Sequence, residues 1–208
     1  QERVFYYITL MNENYAMPQM PKGAEEGILK GIYKFSGSTK KSAKLKANLF
    51  GSGTIMNQVL KAKEILENDY NVAVDVWSVT SYKEVRRDAL ETERWNTLNP
   101  TRKPKVSYLA ELFKNNDGVF VAASDYVKAL PDSIAKWLPK QLSSLGTDGF
   151  GRSESREALR DFFEVDAKHI VYAALGNLFH EGNVESKILD KAKKDLGIDP
   201  EKPDPVYS

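Results

Sequence analysis

The sequence predicts an α/β domain of three layers: a mostly parallel, twisted sheet of about five strands with helices on both faces, followed by a helical C-terminal segment. Three observations predict it. From residue 44 onward, short runs rich in β-branched and aromatic residues alternate with segments whose apolar residues recur at helical spacing. Strands separated by helices pair in parallel through right-handed crossovers, which covers both faces of the sheet. Toward the end of the chain the strand pattern disappears and only the helical one continues.

Residues 4–10, Val-Phe-Tyr-Tyr-Ile-Thr-Leu, are dense in strand-forming side chains and read as a buried strand. Pro18 and Pro21 forbid regular helix or central strand around them, so the segment after Asn12 reads as an ordered, extended connector. Residues 27–35 alternate apolar and polar, and the basic loop 36–41 is of the kind that tips a hairpin, so a strand pair is expected around it. Residues 45–50 are a strand, Gly51-Ser52-Gly53 turns, and Ile55, Val59, Ala62, Ile65 and Leu66 mark a helix. Residues 72–79 are the next strand, and Thr80 or Ser81 caps a helix running toward Trp95. Pro100 and Pro104 break the segment after that helix, Ser107 caps a short helix through Phe113, Asn116-Asp117-Gly118 turns, and residues 119–123 form a compact buried strand. A helix disturbed at Pro131 is expected over 125–138, before a short strand at 142–145. Ser153 and Asp166 cap two further helices, and a third runs from about Glu185 to a stop at Gly197. Pro200, Pro203 and Pro205 mark an extended or frayed tail. The expected division is residues 1–25 as the end of a preceding domain or a connector, and 26–208 as one domain.

Composition narrows the function classes. Hydrophobic residues make up 41% and charged residues 28%, ordinary globular usage. Thirty basic against 29 acidic side chains leave a net charge of +1, too little to draw the chain to nucleic acid or anionic lipid, and neither partner is expected. The absence of cysteine excludes disulfides, a thiolate nucleophile and sulfur-ligated metal, and makes the cytoplasm the default compartment. Apolar runs fall far short of the roughly 20 residues a membrane helix needs. Gln1, followed almost at once by an apolar run, reads as the start of a piece cut from a longer chain.

No complete constellation for chemistry emerges. Gly51, Ser52, Gly53 and Thr54, between a strand and a helix, form a weak candidate anion site. They lack the third glycine of a dinucleotide fingerprint and the Gly-Lys-Ser/Thr of a P-loop, and a tight turn with close helix packing is the stronger reading. His169 and His180 have no zinc spacing around them. A nucleophile elbow is absent, and the scattered carboxylates identify no acid/base pair. Asn12, Glu13, Asn14 and Tyr15 form the most unusual polar cluster, suited to fixing the connector, meeting a neighbouring domain or contacting substrate. Arg86-Arg87 and Arg102-Lys103 with Lys105 read as solvated, and Trp77, Trp95 and Trp137 as packing residues.

Residues 145–153, Leu-Gly-Thr-Asp-Gly-Phe-Gly-Arg-Ser, followed by Glu157-Ala158-Leu159 and Phe162-Phe163-Glu164-Val165, resemble the Gly-x-Asp-x-Phe-Gly-x-Ser signature of transketolase-type C-terminal domains. Residues 6–15 with Met17-Pro18 and 23–28, together with Glu93-Arg94-Trp95-Asn96 and Pro100, are similar to one branch of that superfamily, the homodimeric bacterial pyruvate dehydrogenase (acetyl-transferring) components. The resemblance runs over essentially the whole chain. It implies a thiamine diphosphate enzyme that decarboxylates pyruvate and acetylates the lipoyl group of the next complex component, the cofactor supplying the carbanion chemistry. In that family a Gly-Asp-Gly motif with a following Asn pair holds the diphosphate and magnesium. Asn116-Asp117-Gly118 and Thr147-Asp148-Gly149 lack the first glycine, so thiamine diphosphate and Mg2+ are expected for a whole enzyme and none on this chain. The implied role is structural and inactive alone. The implied partners are the upstream domains, a second subunit of a homodimer and the dihydrolipoamide acetyltransferase component. Asn12, Glu13, Asn14, Tyr15, Asp148, Phe150 and Arg152 are the expected interdomain or dimer contacts. Two rival readings are a free-standing effector module using residues 51–54, and a docking domain for another complex component.

Overall fold

The computed structural model describes residues 3–11, 14–40 and 42–208. Five strands, β1 (Ile32–Ser36), β2 (Leu45–Gly51), β3 (Val72–Val79), β4 (Val119–Ala123) and β5 (Leu142–Leu145), form one sheet in the order β1-β3-β2-β4-β5. β2 pairs in parallel with β3 (Leu45 opposite Val72) and with β4 (Ala47 opposite Val119), and β4 pairs in parallel with β5. β1 runs antiparallel along β3, with an irregularity between Lys34 and Ser36. All five residues of β4 are buried, as a strand covered on both faces requires.

Eight helices occur in chain order among the described residues: α1 (Glu25–Lys30), α2 (Met56–Asp69), α3 (Tyr82–Leu98), α4 (Tyr108–Phe113), α5 (Ala129–Asp132), α6 (Arg156–Phe162), α7 (Ala167–His180) and α8 (Ser186–Leu196). α2 and α7 cover one face, where Val59, Leu66, Ile170 and Leu175 meet Leu49, Val74 and Val121. On the other face Phe50, Trp77 and Phe120 pack against Val85 of α3 and Leu109 and Phe113 of α4. Phe113 sits edge-on to Trp77 at 4.5 Å and to Phe120 at 5.2 Å. α8 buries Ala192 against α7 and stops at Gly197, which takes the left-handed conformation the sequence assigns to it. Ser81, Ser107 and Asp166 cap α3, α4 and α7. β2 to β5, α2 to α4 and the helical C-terminal segment are those the sequence predicts.

Five expectations are corrected. Residues 4–10 form no strand, and Phe5 is 91% exposed. Strand propensity supplies suitable side chains, but a strand needs a neighbour for its backbone groups, and none lies beside this arm among the described residues. The strand expected over 27–35 is split: α1 occupies its first half and ends at Gly31, whose φ of 93° turns the chain into β1. No hairpin joins β1 to β2, because β3 lies between them. In the loop after β1, Ser38 N instead donates to Asp75 Oδ1 of β3 at 3.0 Å and Ser38 Oγ to Glu67 Oε1 of α2 at 2.7 Å. Residues 125–138 hold only α5 and a 3-10 turn, Ala135–Trp137, and Ser155 rather than Ser153 caps α6.

Candidate functional site

β3 is added on one side of β2 and β4 on the other, so the connections diverge between β2 and β4. In open α/β sheets the crevice outside the carboxyl ends of such strands is where ligands bind. Three loops meet there: residues 51–54 after β2, 124–126 after β4 and 146–152 after β5.

The first loop owes its glycines to packing. A Cβ on Gly51 would stand 2.6 Å from Met56 Sδ and 3.2 Å from Met56 Cα, and Gly53 has a φ of 57°. Ser52 makes no side-chain cap to the 3-10 turn Gly53–Ile55 that opens α2. Thr54 lines the crevice.

The signature loop is likewise built from contacts within the chain. A Cβ on Gly146 would lie 2.5 Å from the Tyr126 carbonyl oxygen, and Thr147 N donates to that same oxygen at 2.9 Å. Asp148 Oδ1 accepts from Lys128 N at 3.0 Å, which ties the loop to the start of α5. Gly149, with a φ of 85°, lets the C-terminal tail approach, its Cβ position being 3.2 Å from the Pro205 carbonyl oxygen. Phe150 points away, 86% exposed.

Beyond this loop, Arg152, Arg156 and Arg160 converge with Thr54, Asp125 and Thr147 on a cleft of about 250 Å3. Its apolar floor includes Ile55, Leu159, Phe163 and Val165. Arg152 lies 5.7 Å from the Phe162 ring centroid. A larger hollow of about 970 Å3 adjoins it between the N-terminal arm and the sheet edge, lined by Asn14, Tyr15, Met17, Tyr33, Phe35 and Tyr126 among others. Tyr15 joins the two: its hydroxyl accepts from Arg160 Nη2 at 3.1 Å, and its ring lies 5.6 Å from the Arg160 guanidinium.

The sequence-predicted residues therefore divide. Tyr15, Thr54 and Arg152 converge on the crevice, Asn14 lines the hollow, Asp148 braces its own loop, Phe150 faces outward, and Asn12 and Glu13 lie outside the described residues. The sequence pattern did not single out Arg156 and Arg160, although three arginines at intervals of four stand in it.

The carboxylates and amides that could serve metal or diphosphate have other partners. Asp117 is held by Lys46 Nζ at 3.0 Å, Asn116 exchanges amide hydrogen bonds with Asn48, and Asp148 serves Lys128. Asp161, Asp166 and His169 form one cluster of metal-ligating type among the described residues. It is already committed: Lys168 pairs with Asp161 and holds its carboxyl below the usual range, while Asp166 Oδ1 accepts from His169 N at 3.2 Å as a helix cap. These donors do not fit thiamine diphosphate with magnesium. His180 lies in the last turn of α7, Trp77 Nε1 donates to Asn48 Oδ1 at 3.1 Å, and Trp137 Nε1 to Glu93 Oε1 at 2.7 Å.

A family model for the transketolase-like TK C-terminal domain matches residues 31–166. The pyruvate dehydrogenase E1 component of Pseudomonas aeruginosa is 50% identical over 207 residues, 99% of this chain and 23% of that protein. The E1 component of Escherichia coli K12 is 49% identical over 206 residues, with the same coverage of 99% and 23%. This chain thus spans 23% of the length of these curated relatives. A solved transketolase from Leishmania mexicana superposes with a TM-score of 0.47 at 18% identity, covering 73% of this chain and 18% of that one.

Proposed function

The chain belongs to the transketolase-like C-terminal domain family, and from that premise we propose that it is the C-terminal structural and assembly domain of a pyruvate dehydrogenase E1 component. The observation that carries this reading is identity of 50% over 99% of the chain with a protein of that name. The whole enzyme would use thiamine diphosphate and Mg2+ to decarboxylate pyruvate and acetylate a lipoyl group, with the cofactor held by domains other than this one. No helix among the described residues is long and apolar enough to cross a membrane, and a cysteine-free chain suits the cytoplasm.

In this reading residues 1–25 end the preceding domain or connect to it, and 26–208 form the domain proper. The exposed apolar arm supports that division: Phe5, Tyr6, Tyr7, Ile8 and Leu10 face outward ahead of α1. Asn12, Glu13, Asn14, Tyr15, Asp148, Phe150 and Arg152 would make or brace contacts to the rest of the subunit, to a second subunit of a homodimer, or to both. Such a domain acts by fixing geometry, since displacing a catalytic group by about 1 Å costs about a hundredfold in rate. The dihydrolipoamide acetyltransferase component would be a partner of the assembled enzyme.

The test is direct. Given pyruvate, thiamine diphosphate and Mg2+, the isolated 208-residue chain should release no CO2, whereas a full-length relative truncated before the position of Gln1 should lose activity. CO2 release by the isolated chain, or full activity of the truncated relative, overturns the proposal.

A further inference from the structure

The C-terminal tail, residues 199–208, is tied to the domain at two points. At the first, Lys202 Nζ donates to the Asp161 carbonyl oxygen in the last turn of α6, 5.9 Å from the Phe162 ring centroid and 3.9 Å from Glu164 Oε1. A cation on the last carbonyls of a helix satisfies an acceptor and complements the helix dipole. Glu164 itself takes the left-handed conformation, with a φ of 60°. Glycine would do so without strain, whereas glutamate brings a carboxylate to the lysine. At the second point the Pro205 carbonyl oxygen and Val206 Cα lie against Gly149, each 3.2 Å from where a Cβ would stand. Phe162 links the two points, because Arg152 of the signature loop rests on the same ring at 5.7 Å.

These contacts can form and part without disturbing either core. Tail, signature loop and the corner between α6 and α7 surround a hollow of about 240 Å3, with Lys128, Gly146 and Asp148 on one side and Glu164, Lys202 and Asp204 on the other. No residue after Ala192 is buried. An element that buries so little apolar surface belongs to the part of a fold that opens locally, well below the cost of global unfolding. The tail is nevertheless prepared to dock. Asp199 Oδ1 accepts from Glu201 N at 2.9 Å and Asp204 Oδ1 from Val206 N at 2.9 Å, so its turns are made within itself. Pro200, Pro203 and Pro205 restrict the undocked chain, which lowers the entropy lost on docking.

We propose that the C-terminal tail is a strap: latched by Lys202 on the end of α6 and seated on Gly149, it fixes the signature loop and so the outward presentation of Phe150 and Arg152. That these two residues meet the rest of a subunit rests on the proposed function, whereas the strap is a property of the 208-residue chain and is tested there. Amide exchange is followed in the parent, in a chain ending at Ile198, in Lys202→Ala and in Lys202→Arg. The reporters are Thr147 N and Lys128 N, bonded to Tyr126 O and Asp148 Oδ1, and Val165 N, bonded to Arg160 O. Without the tail all three should exchange about tenfold faster, the worth of one charge-assisted hydrogen bond. Lys202→Ala should reproduce most of that change, and Lys202→Arg, which keeps the cation and the donor, should restore the parent rates. Amides of β4 should keep their rates throughout. Unchanged reporters in the chain ending at Ile198, β4 amides quickening in step with them, or Lys202→Arg as fast as Lys202→Ala would each overturn the proposal. Release of CO2 by the isolated chain, which would overturn the proposed function, leaves these rates as they are.

Discussion

The Tyr15 hydroxyl accepts a hydrogen bond from Arg160 Nη2 at 3.1 Å, and the Arg160 guanidinium lies 5.6 Å from the same ring. One side chain of α6 thus holds the arm through both the polar tip and the face of a half-buried tyrosine. Arg160→Ala removes both contacts and should cost about 1–2 kcal/mol, a charged hydrogen bond plus a cation–π contact. Tyr15→Phe removes only the first. Limited proteolysis should cut the arm faster in Arg160→Ala than in Tyr15→Phe, and faster in Tyr15→Phe than in the parent chain. Equal cutting in all three would mean that the pair does not anchor the arm.

Gly146 is the first glycine of the signature, and its role is steric. With a Cβ 2.5 Å from the Tyr126 carbonyl oxygen and 3.0 Å from Lys128 N, Gly146→Ala must push the β5 and β4 loops apart. Overpacking of this kind costs about 1–3 kcal/mol, and the Thr147-to-Tyr126 and Lys128-to-Asp148 hydrogen bonds should weaken with it. Denaturant unfolding measures the first effect, and amide exchange at Thr147 and Lys128 the second. An unchanged unfolding midpoint would contradict the close approach.

Much of this was legible in the sequence because it is local. The run from β2 through α2 to β3 comes from apolar periodicity and from turn and cap residues that act within a few positions of themselves, as Ser81 and Gly197 do. The illegible parts depend on neighbours distant in sequence. The arm has the composition of a strand, but composition does not say whether a pairing edge lies beside it. Residues 36–41 have hairpin chemistry, yet Asp75 of β3 and Glu67 of α2 hold Ser38 instead. The cleft shows both limits: three arginines recur within one segment, whereas their meeting with Thr54 and Asp125 is a consequence of strand order.

Glu67 makes the fold sensitive to acid. Its side chain is only 6% exposed, and that burial raises its pKa. Hydrogen bonds from Ser38, Thr39 and Val74 N, with the Lys63 cation beside it, outweigh burial, so the pKa is lowered overall from its ordinary value of 4.5. A carboxyl with a lower pKa folded than unfolded stabilises the protein above the unfolded value, and the contribution is lost as pH falls through the folded one. Stability should therefore decline from about pH 4.5 downward, with amides of the 37–40 loop losing protection first. Glu67→Gln should cost about 1–3 kcal/mol at neutral pH and flatten that acid limb. Parallel acid limbs in the two proteins would show that another carboxyl governs the transition.

Two buried polar groups on the aromatic face of the sheet should respond in opposite ways. Asn48 accepts from Trp77 Nε1 at 3.1 Å and exchanges hydrogen bonds with the Asn116 amide at 2.7 and 3.0 Å, so it satisfies two side chains at once. Asn48→Ala strands the indole N–H in a buried site and should cost about 2–3 kcal/mol. The Tyr82 hydroxyl is buried without a hydrogen-bond partner among the described residues, and burial pushes its pKa up. Its desolvation is uncompensated in the folded chain, so Tyr82→Phe removes a cost while keeping the ring against its neighbours. Urea unfolding should find Tyr82→Phe as stable as the parent or more stable by about 1 kcal/mol. A loss comparable to that of Asn48→Ala would mean that the hydroxyl has an internal partner, an ordered water being the group of the right size and chemistry.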